Sequence, residues 1–220
     1  MRQLLIGLNF IMFVAFAFTK EIKLPKPSFK GSVSVEEAIS KNKATRRFKD
    51  LPLTLQQISQ LLWAAFGFTV DGITSATRVF PSAGAIYPLE LYIVCGENKG
   101  LKAGIYKYQP QTHTLLLIKQ GDFREQLTKC AFNQFFISQA PVSFVWAANY
   151  NKVFSYGERG RVRYIHIDLG HSAQNLTLQT KALGLGTVQV GAFNDEEVKN
   201  LLGLSKEEVP VYIMPVGYSK

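Results

Sequence analysis

Two stretches hold residue types whose spacing could do chemistry. The first is Asn42-Lys43-Ala44-Thr45-Arg46-Arg47-Phe48. Its three cationic side chains can hold a dianionic phosphate by charge-assisted hydrogen bonds. A solvated basic turn is the other reading of such a cluster. The second is Arg78-Val79-Phe80-Pro81-Ser82-Ala83-Gly84-Ala85-Ile86-Tyr87-Pro88. Pro81 fixes φ and Pro88 closes the segment, so the loop is stiff at both ends. Between them, Ser82, Ala83 and Gly84 are small enough to let a flat ligand approach the backbone. This loop reads either as a cofactor shelf or as a tight turn before a buried strand.

The elements that must position these residues belong to one domain. The chain has 220 residues, 47% apolar and 19% charged, which is a globular composition with a substantial core. The net charge of +9 raises nucleic acid as a partner. However, Lys and Arg are spread along the chain without a basic helix carrying interleaved aromatics, so the balance suits small anionic ligands and excludes a nucleic-acid module. Cys95 lies in an apolar run and Cys130 in a helical one, and both read as buried small hydrophobes. His113, His166 and His171 are scattered with no metal-ligand spacing, so no metal site is expected.

In chain order, Leu4 to Phe18 is apolar apart from Asn9, too short to span a bilayer comfortably, and Ala15-Phe16-Ala17 fits an A-x-A cleavage site. Residues 1–17 therefore read as a secretory signal peptide, with an uncleaved anchor or a buried N-terminal element as the other readings. A cleaved signal implies export to the periplasm or beyond. Residues 18–33, with Pro25 and Pro27, read as an extended lead-in to a domain over 34–220. Capping boxes are expected at Ser34/Glu37, Thr54/Gln57 and Asn194/Glu197. The second opens an amphipathic helix ending at Gly67. Strands are expected over Leu89–Cys95, Gly104–Gln109, His113–Ile118 and Val209–Tyr218, with Val142–Ala148 as a central strand buried on both faces. Asp122–Phe136 reads as one helix or two short ones. A long helix over Arg161–Leu183 carries the stripe Ile165, Leu169, Ala173, Leu176, Thr180 and Leu183. Gly170 in its middle costs about 1 kcal/mol relative to Ala, which implies a close approach there.

The Arg78–Pro88 loop resembles the flavin-contacting P-S-x-G segment of the nitroreductase family. In its full form, R-x-x-P-S-A-G-A-x-Y-P, it is similar to the SagB-type branch, whose members include oxidases of azoline rings in peptides. The earlier basic stretch resembles the family motif R-R-S-x-R-x-F, which binds the FMN phosphate and ribityl chain. Asn42 and Lys43 fall on the two leading Arg positions, Ala44 on the Ser, Arg46 on the later Arg and Phe48 on the aromatic. The resemblance implies that Lys43 and Arg46 anchor the phosphate, with Arg47 compensating, and that flavin affinity is weakened. The stretch from Ser155 resembles the signature K-Y-G-x-R-G-x-R-Y-x-x-x-x-x-G-H-x-x-Q-N-x-x-L, matching at Tyr156, Gly157, Arg159, Gly160, Arg163, Tyr164, Gly170, His171, Gln174, Asn175 and Leu178. Ser155 stands where azoline-oxidising members carry a Lys paired with the Tyr for catalysis. Gln189, Val190, Gly191 and Ala192 fall on the segment that lies along the flavin ring.

This resemblance implies an α+β fold with a mostly antiparallel central sheet flanked by helices, as an intertwined homodimer with FMN at the interface. It implies an FMN-dependent oxidoreductase that moves hydride through flavin N5. Pro81, Ser82, Ala83 and Gly84 would line the ring, Tyr156 would be acid or substrate orienter with Ser155 beside it, and NAD(P)H is a candidate donor. The substrate, small molecule or peptide, is not named by these residues. The alternative is a non-catalytic flavin- or peptide-binding module on the same fold.

Overall fold

A computed structural model describes residues 21–69 and 77–220. The expected signal peptide lies outside the described residues. No helix among the described residues is long and apolar enough to cross a membrane. Element order is β1 (Glu21–Lys23), α1 (Val35–Ser40), α2 (Leu55–Phe66), β2 (Leu89–Cys95), β3 (Gly104–Gln109), β4 (Thr114–Gln120), α3 (Arg124–Cys130), α4 (Phe136–Gln139), β5 (Val142–Asn149), α5 (Gly157–Arg159), α6 (Ile165–Ala182), β6 (Gly186–Thr187), α7 (Asp195–Leu202) and β7 (Glu208–Gly217). The strands form one sheet in the order β1-β4-β3-β2-β5-β7-β6. Every pairing is antiparallel.

The central strand β5 explains the two-layered core. Its residues alternate faces, as strand geometry requires. Phe144, Trp146 and Ala148 pack under α2 and α6, while Val145 and Ala147 pack under α3 and α7. Both sides of the sheet are therefore covered, which is why Val142–Ala148 reads as an almost unbroken apolar run.

Helix ends follow the expected caps, with one kind of departure. Thr54 and Gln57 form the reciprocal box at the start of α2. Ser34 and Asn194 cap α1 and α7 by accepting the N–H of Glu37 and Glu197. Only half of the box forms at α1, because the Glu37 carboxylate turns to pair with Lys41 one turn on. Gly67 ends α2 without a left-handed conformation (φ −75°). A side chain there would meet the Trp63 carbonyl at 2.8 Å, so crowding is what requires glycine.

The lead-in is more structured than its prolines suggest. Glu21–Lys23 adds an edge strand to β4, and the following residues are fastened to α2. Gln56 Nε2 donates to the Lys26 carbonyl (3.1 Å), and Gln60 brackets Ser28 by accepting its N–H (2.7 Å) and donating to its carbonyl (2.9 Å). His113, at φ +52°, places Nε2 2.7 Å from Ser59 Oγ and 3.0 Å from the Pro25 carbonyl, with Nδ1 2.8 Å from Tyr108 Oη. Burial pushes the His113 pKa below its ordinary 6.5, with the Pro25 carbonyl opposing. Protonation thus favours the unfolded chain. The stabilisation is complete above pH 6.5 and is lost as pH falls through the folded value. The denaturation midpoint is expected to drop on acidification below that point, and His113→Gln is expected to flatten this dependence. Urea melts across the pH range check both.

Candidate functional site

Helix α6 is the frame of the site. Ile165, Leu169, Ala173 and Leu176 bury one stripe in the core, the period expected of a helix on a sheet. Ser172 ties it on two sides. Its Oγ donates to the Ala65 carbonyl of α2 at 2.6 Å and accepts from Trp146 Nε1 at 2.9 Å. The helix does not begin at Arg161. A 3-10 segment (Tyr150–Tyr156), α5 and a π-helical turn (Gly160–Tyr164) precede Ile165. Gly160 lets this entrance fold tightly, since a Cβ there would stand 2.6 Å from the Val153 carbonyl. Gly170 is different: it is exposed, and nothing among the described residues lies within 4 Å of a Cβ built on it. The close approach expected there is not made by any of the described residues.

The N-terminal part of α6 holds the small-residue loop. Ser82 Oγ donates to Asp168 Oδ2 at 2.5 Å and accepts the Tyr87 N–H at 3.0 Å. Burial pushes the Asp168 carboxyl up from its ordinary value, against the hydrogen bonds from Ser82 and the Ala83 backbone. Ala83–Ala85 makes a 3-10 turn in which Gly84 has φ +60°, and Ala85 and Tyr87 also have positive φ (53° and 50°). Arg78 braces the loop from behind. Its Nη1 donates to the Phe66 carbonyl at 2.9 Å and its guanidinium lies 4.4 Å from the Phe66 ring centre. The Tyr156 hydroxyl occupies the place a Cβ at Gly84 would need. The Tyr156 ring meets Tyr164 edge-on at 5.3 Å. Pro81–Gly84 and Tyr156, far apart in sequence, are thus brought together, with Ser155 exposed beside them.

That contact yields a prediction. Gly84→Ala is expected to destabilise the chain by about 1–3 kcal/mol, through positive φ and the clash with the phenol. The penalty should shrink in a Tyr156→Phe background, because the ring carbon behind the hydroxyl stands 3.4 Å away. Chemical denaturation of the two singles and the double checks the coupling.

The C-terminal part of α6 holds the basic stretch. Lys181 is buried and its Nζ donates to the Lys43 carbonyl at 3.0 Å. Burial, then the neighbouring Lys43 charge, lowers its pKa. The Thr45 N–H donates to the Thr187 carbonyl at 2.9 Å, laying the stretch beside β6. Asn42, Lys43, Ala44, Arg46 and Arg47 are exposed. Gln189 points back to α6, donating to Thr177 Oγ1 at 3.0 Å, while Val190 bridges to Ile213 of β7 by two backbone bonds. Gly191 and Ala192 are exposed on the same rim.

The two groups do not meet within one chain. Asp168 and Lys181 are 13 residues apart on α6, hence roughly 20 Å along its axis and turned by roughly 140° about it. A cavity of about 700 Å³ lies between the residue 28–35 segment, α2 and α6; Val79 of the loop stretch lines it, but Pro81–Gly84, Tyr156 and the basic residues do not. The candidate residues therefore fall into two groups toward the two ends of one helix.

Several site residues escape a reading by type and spacing. Lys181 is a lone helical lysine, and its relation to Lys43 is purely tertiary. Asp168 sits in a helical pattern without any partner in sequence. Phe132 and Asn133 form a turn with consecutive positive φ (54° and 58°), a conformation non-glycine residues rarely share. The next residue, Gln134, donates to the Ala192 carbonyl at 2.8 Å, so Phe132 and Phe135, both exposed, stand beside the 189–192 rim. Backbone strain of this kind clusters at functional sites.

The C-terminal half-site fits a phosphate-bearing cofactor. Lys43, Arg46, Arg47 and Lys181 have no carboxylate partner among the described residues. The buried Thr187 Oγ1 has no hydrogen-bond partner there either. A concentration of cations without acids is the donor set an anion requires.

Comparison with known proteins agrees with this arrangement. The sequence model of the nitroreductase family matches residues 39–218. The chain is 40% identical over 200 residues to protein MJ1384 of Methanocaldococcus jannaschii, itself assigned to the nitroreductases, covering 90% of this chain and 96% of that one. A crystal structure of a Ralstonia eutropha protein of the same assignment superposes with a TM-score of 0.79 at 29% identity, covering 91% of this chain and 90% of that one. The NADPH:FMN oxidoreductase of Vibrio harveyi, complexed with NAD+, shares the fold at TM-score 0.61 and 18% identity, over 84% of this chain and 69% of that one.

Proposed function

The chain belongs to the nitroreductase family, and from that premise we propose that this oxidoreductase is FMN-dependent, of the SagB-type branch, and complete only as a homodimer. The observation that carries the cofactor is the exposed basic stretch of Lys43, Arg46 and Arg47, without a carboxylate partner among the described residues, with the buried Lys181 on the Lys43 carbonyl and Thr45 fastened to Thr187. FMN, when bound, supplies hydride transfer at N5. The chain's own contribution is to bind and orient. Lys43, Arg46 and Arg47 hold the dianionic phosphate, and Lys181 adds positive potential from beneath. Gly191 and Ala192 offer backbone along the ring edge, and Phe132 and Phe135 cover it from the α3–α4 turn.

The partner supplies the second half-site. Because one chain holds its Pro81–Gly84 loop roughly 20 Å from its own phosphate cluster, the loop serves the cluster of the second copy. The solvent face of α6 and the turn before it suit that pairing, with Val162 of the turn and Ile167 of α6 exposed and Gly170 open between the half-sites. Tyr156, its hydroxyl on Gly84, becomes the proton donor or orienter next to the ring. Ser155 beside it has no basic group to remove a proton, so the substrate is one whose oxidation or reduction proceeds without a lysine base. A small molecule or a peptide meets that condition. The V. harveyi neighbour supports a nicotinamide donor.

The test is to incubate the purified chain with FMN, desalt it, and record its absorption spectrum and mass in solution. One retained flavin per chain on a dimer is expected. A protein that stays colourless overturns the oxidoreductase reading in favour of a non-catalytic peptide-binding module.

A further inference from the structure

We infer that Asp168 is the positioning residue of the ring-facing loop: it accepts the hydrogen bond of the Ser82 hydroxyl, so that the loop presents backbone, not a serine donor, to the cofactor. This inference rests on the FMN reading above and deepens it.

A serine hydroxyl has one proton to give. Ser82 gives it to Asp168 Oδ2 at 2.5 Å, and its oxygen accepts the Tyr87 N–H at 3.0 Å. A chain of carboxyl, hydroxyl and backbone amide therefore pins both ends of the turn to α6. Between those pins lie Gly84, Ala85 and Tyr87, all with positive φ. Such conformations persist only where the surroundings over-determine them. Asp168 is 3% exposed and has no Lys or Arg partner among the described residues. The bond from Ser82 is one that this carboxyl receives as an acceptor. An asparagine would keep one acceptor oxygen and place an NH2 donor where the carboxyl has its second oxygen.

The experiment uses the full chain, Asp168→Asn, Ser82→Ala and the double variant. FMN affinity is read by fluorescence quenching, and visible circular dichroism of the bound flavin is read at saturation. Asp168→Asn is expected to weaken FMN by about tenfold and to change the dichroism bands. Ser82→Ala should do the same, with the double no worse than the worse single, as for two links of one chain. Ser82→Ala losing affinity while Asp168→Asn behaves as wild type would mean that serine contacts the cofactor directly, and would overturn the inference. So would an Asp168→Asn protein that melts earlier but binds flavin with unchanged dichroism and affinity. Should Asp168→Asn fail to fold, Asp168→Glu, which displaces the carboxylate by one methylene, takes its place with the same two outcomes. A wild-type chain that does not retain FMN brings down the cofactor reading and this inference together. A wild-type chain that binds FMN, with variants that match it, brings down the inference alone.

Discussion

Replacing Arg46 by glutamate is expected to weaken FMN binding by about a hundredfold or more while leaving the fold intact. A hydrogen bond to a charged group contributes about 1.5–3 kcal/mol, and each 1.4 kcal/mol is tenfold in affinity. Truncation to alanine should therefore cost roughly tenfold to a hundredfold. Glutamate adds repulsion of a dianion. Arg46→Lys should recover part of the loss, since it restores the charge but not the planar fork. The side chain is exposed and carries no ion pair among the described residues, so its replacement should change stability by less than about 0.5 kcal/mol. Fluorescence titration with FMN at low and high salt checks the effect. Equal affinities for Arg46→Glu and wild type would remove the basic stretch from the site.

The second large effect concerns stability. Trp146→Ala is expected to destabilise the chain by about 3–5 kcal/mol, the range for deleting a buried aromatic. Trp146 is fully buried at the centre of the sheet, and its indole N–H is the donor that engages Ser172 of α6, whose own hydroxyl reaches α2. Sheet and both helices meet at this one side chain. In a domain of this length the melting temperature should fall by on the order of 10 °C. Trp146→Phe should cost less, because most of the apolar area is kept. Thermal melts of both variants check the order, and a Trp146→Ala protein melting with wild type would contradict the burial.

Residues that act through local physics were legible from the start. The apolar run Leu89–Cys95, the run Val142–Ala148 and the Thr54/Gln57 box each dictate their element before any tertiary contact exists. The basic stretch at 42–47 is visible in the sequence as charge density, which needs no partner. What escaped the sequence was set by contacts. Glu21–Lys23 has a single apolar residue and becomes a strand only because β4 offers it an edge. Pro25 and Pro27 speak for the extended lead-in that follows, but not for the bonds by which Gln56, Gln60 and Ser59 fasten it. The start of the long helix reads as continuous from Arg161. The tight packing of Gly160 on Val153 rewinds that first stretch as a π-helical turn instead. Lys181, Asp168 and the Phe132–Asn133 turn matter through where the chain brings them, which no spacing rule encodes.

The two groups of candidate residues hang from α6 as from a graduated rod, and the rod constrains length as much as chemistry. Residue identities between Asp168 and Lys181 can drift, provided that the core stripe stays apolar. Their number cannot. One inserted residue would lengthen the rod by about 1.5 Å and, more seriously, rotate one half-site against the other by about 100°. Natural length variation should therefore spare this interval and accumulate in the connections between elements. The count of residues between Asp168 and Lys181 is what keeps the two groups in phase along this helix.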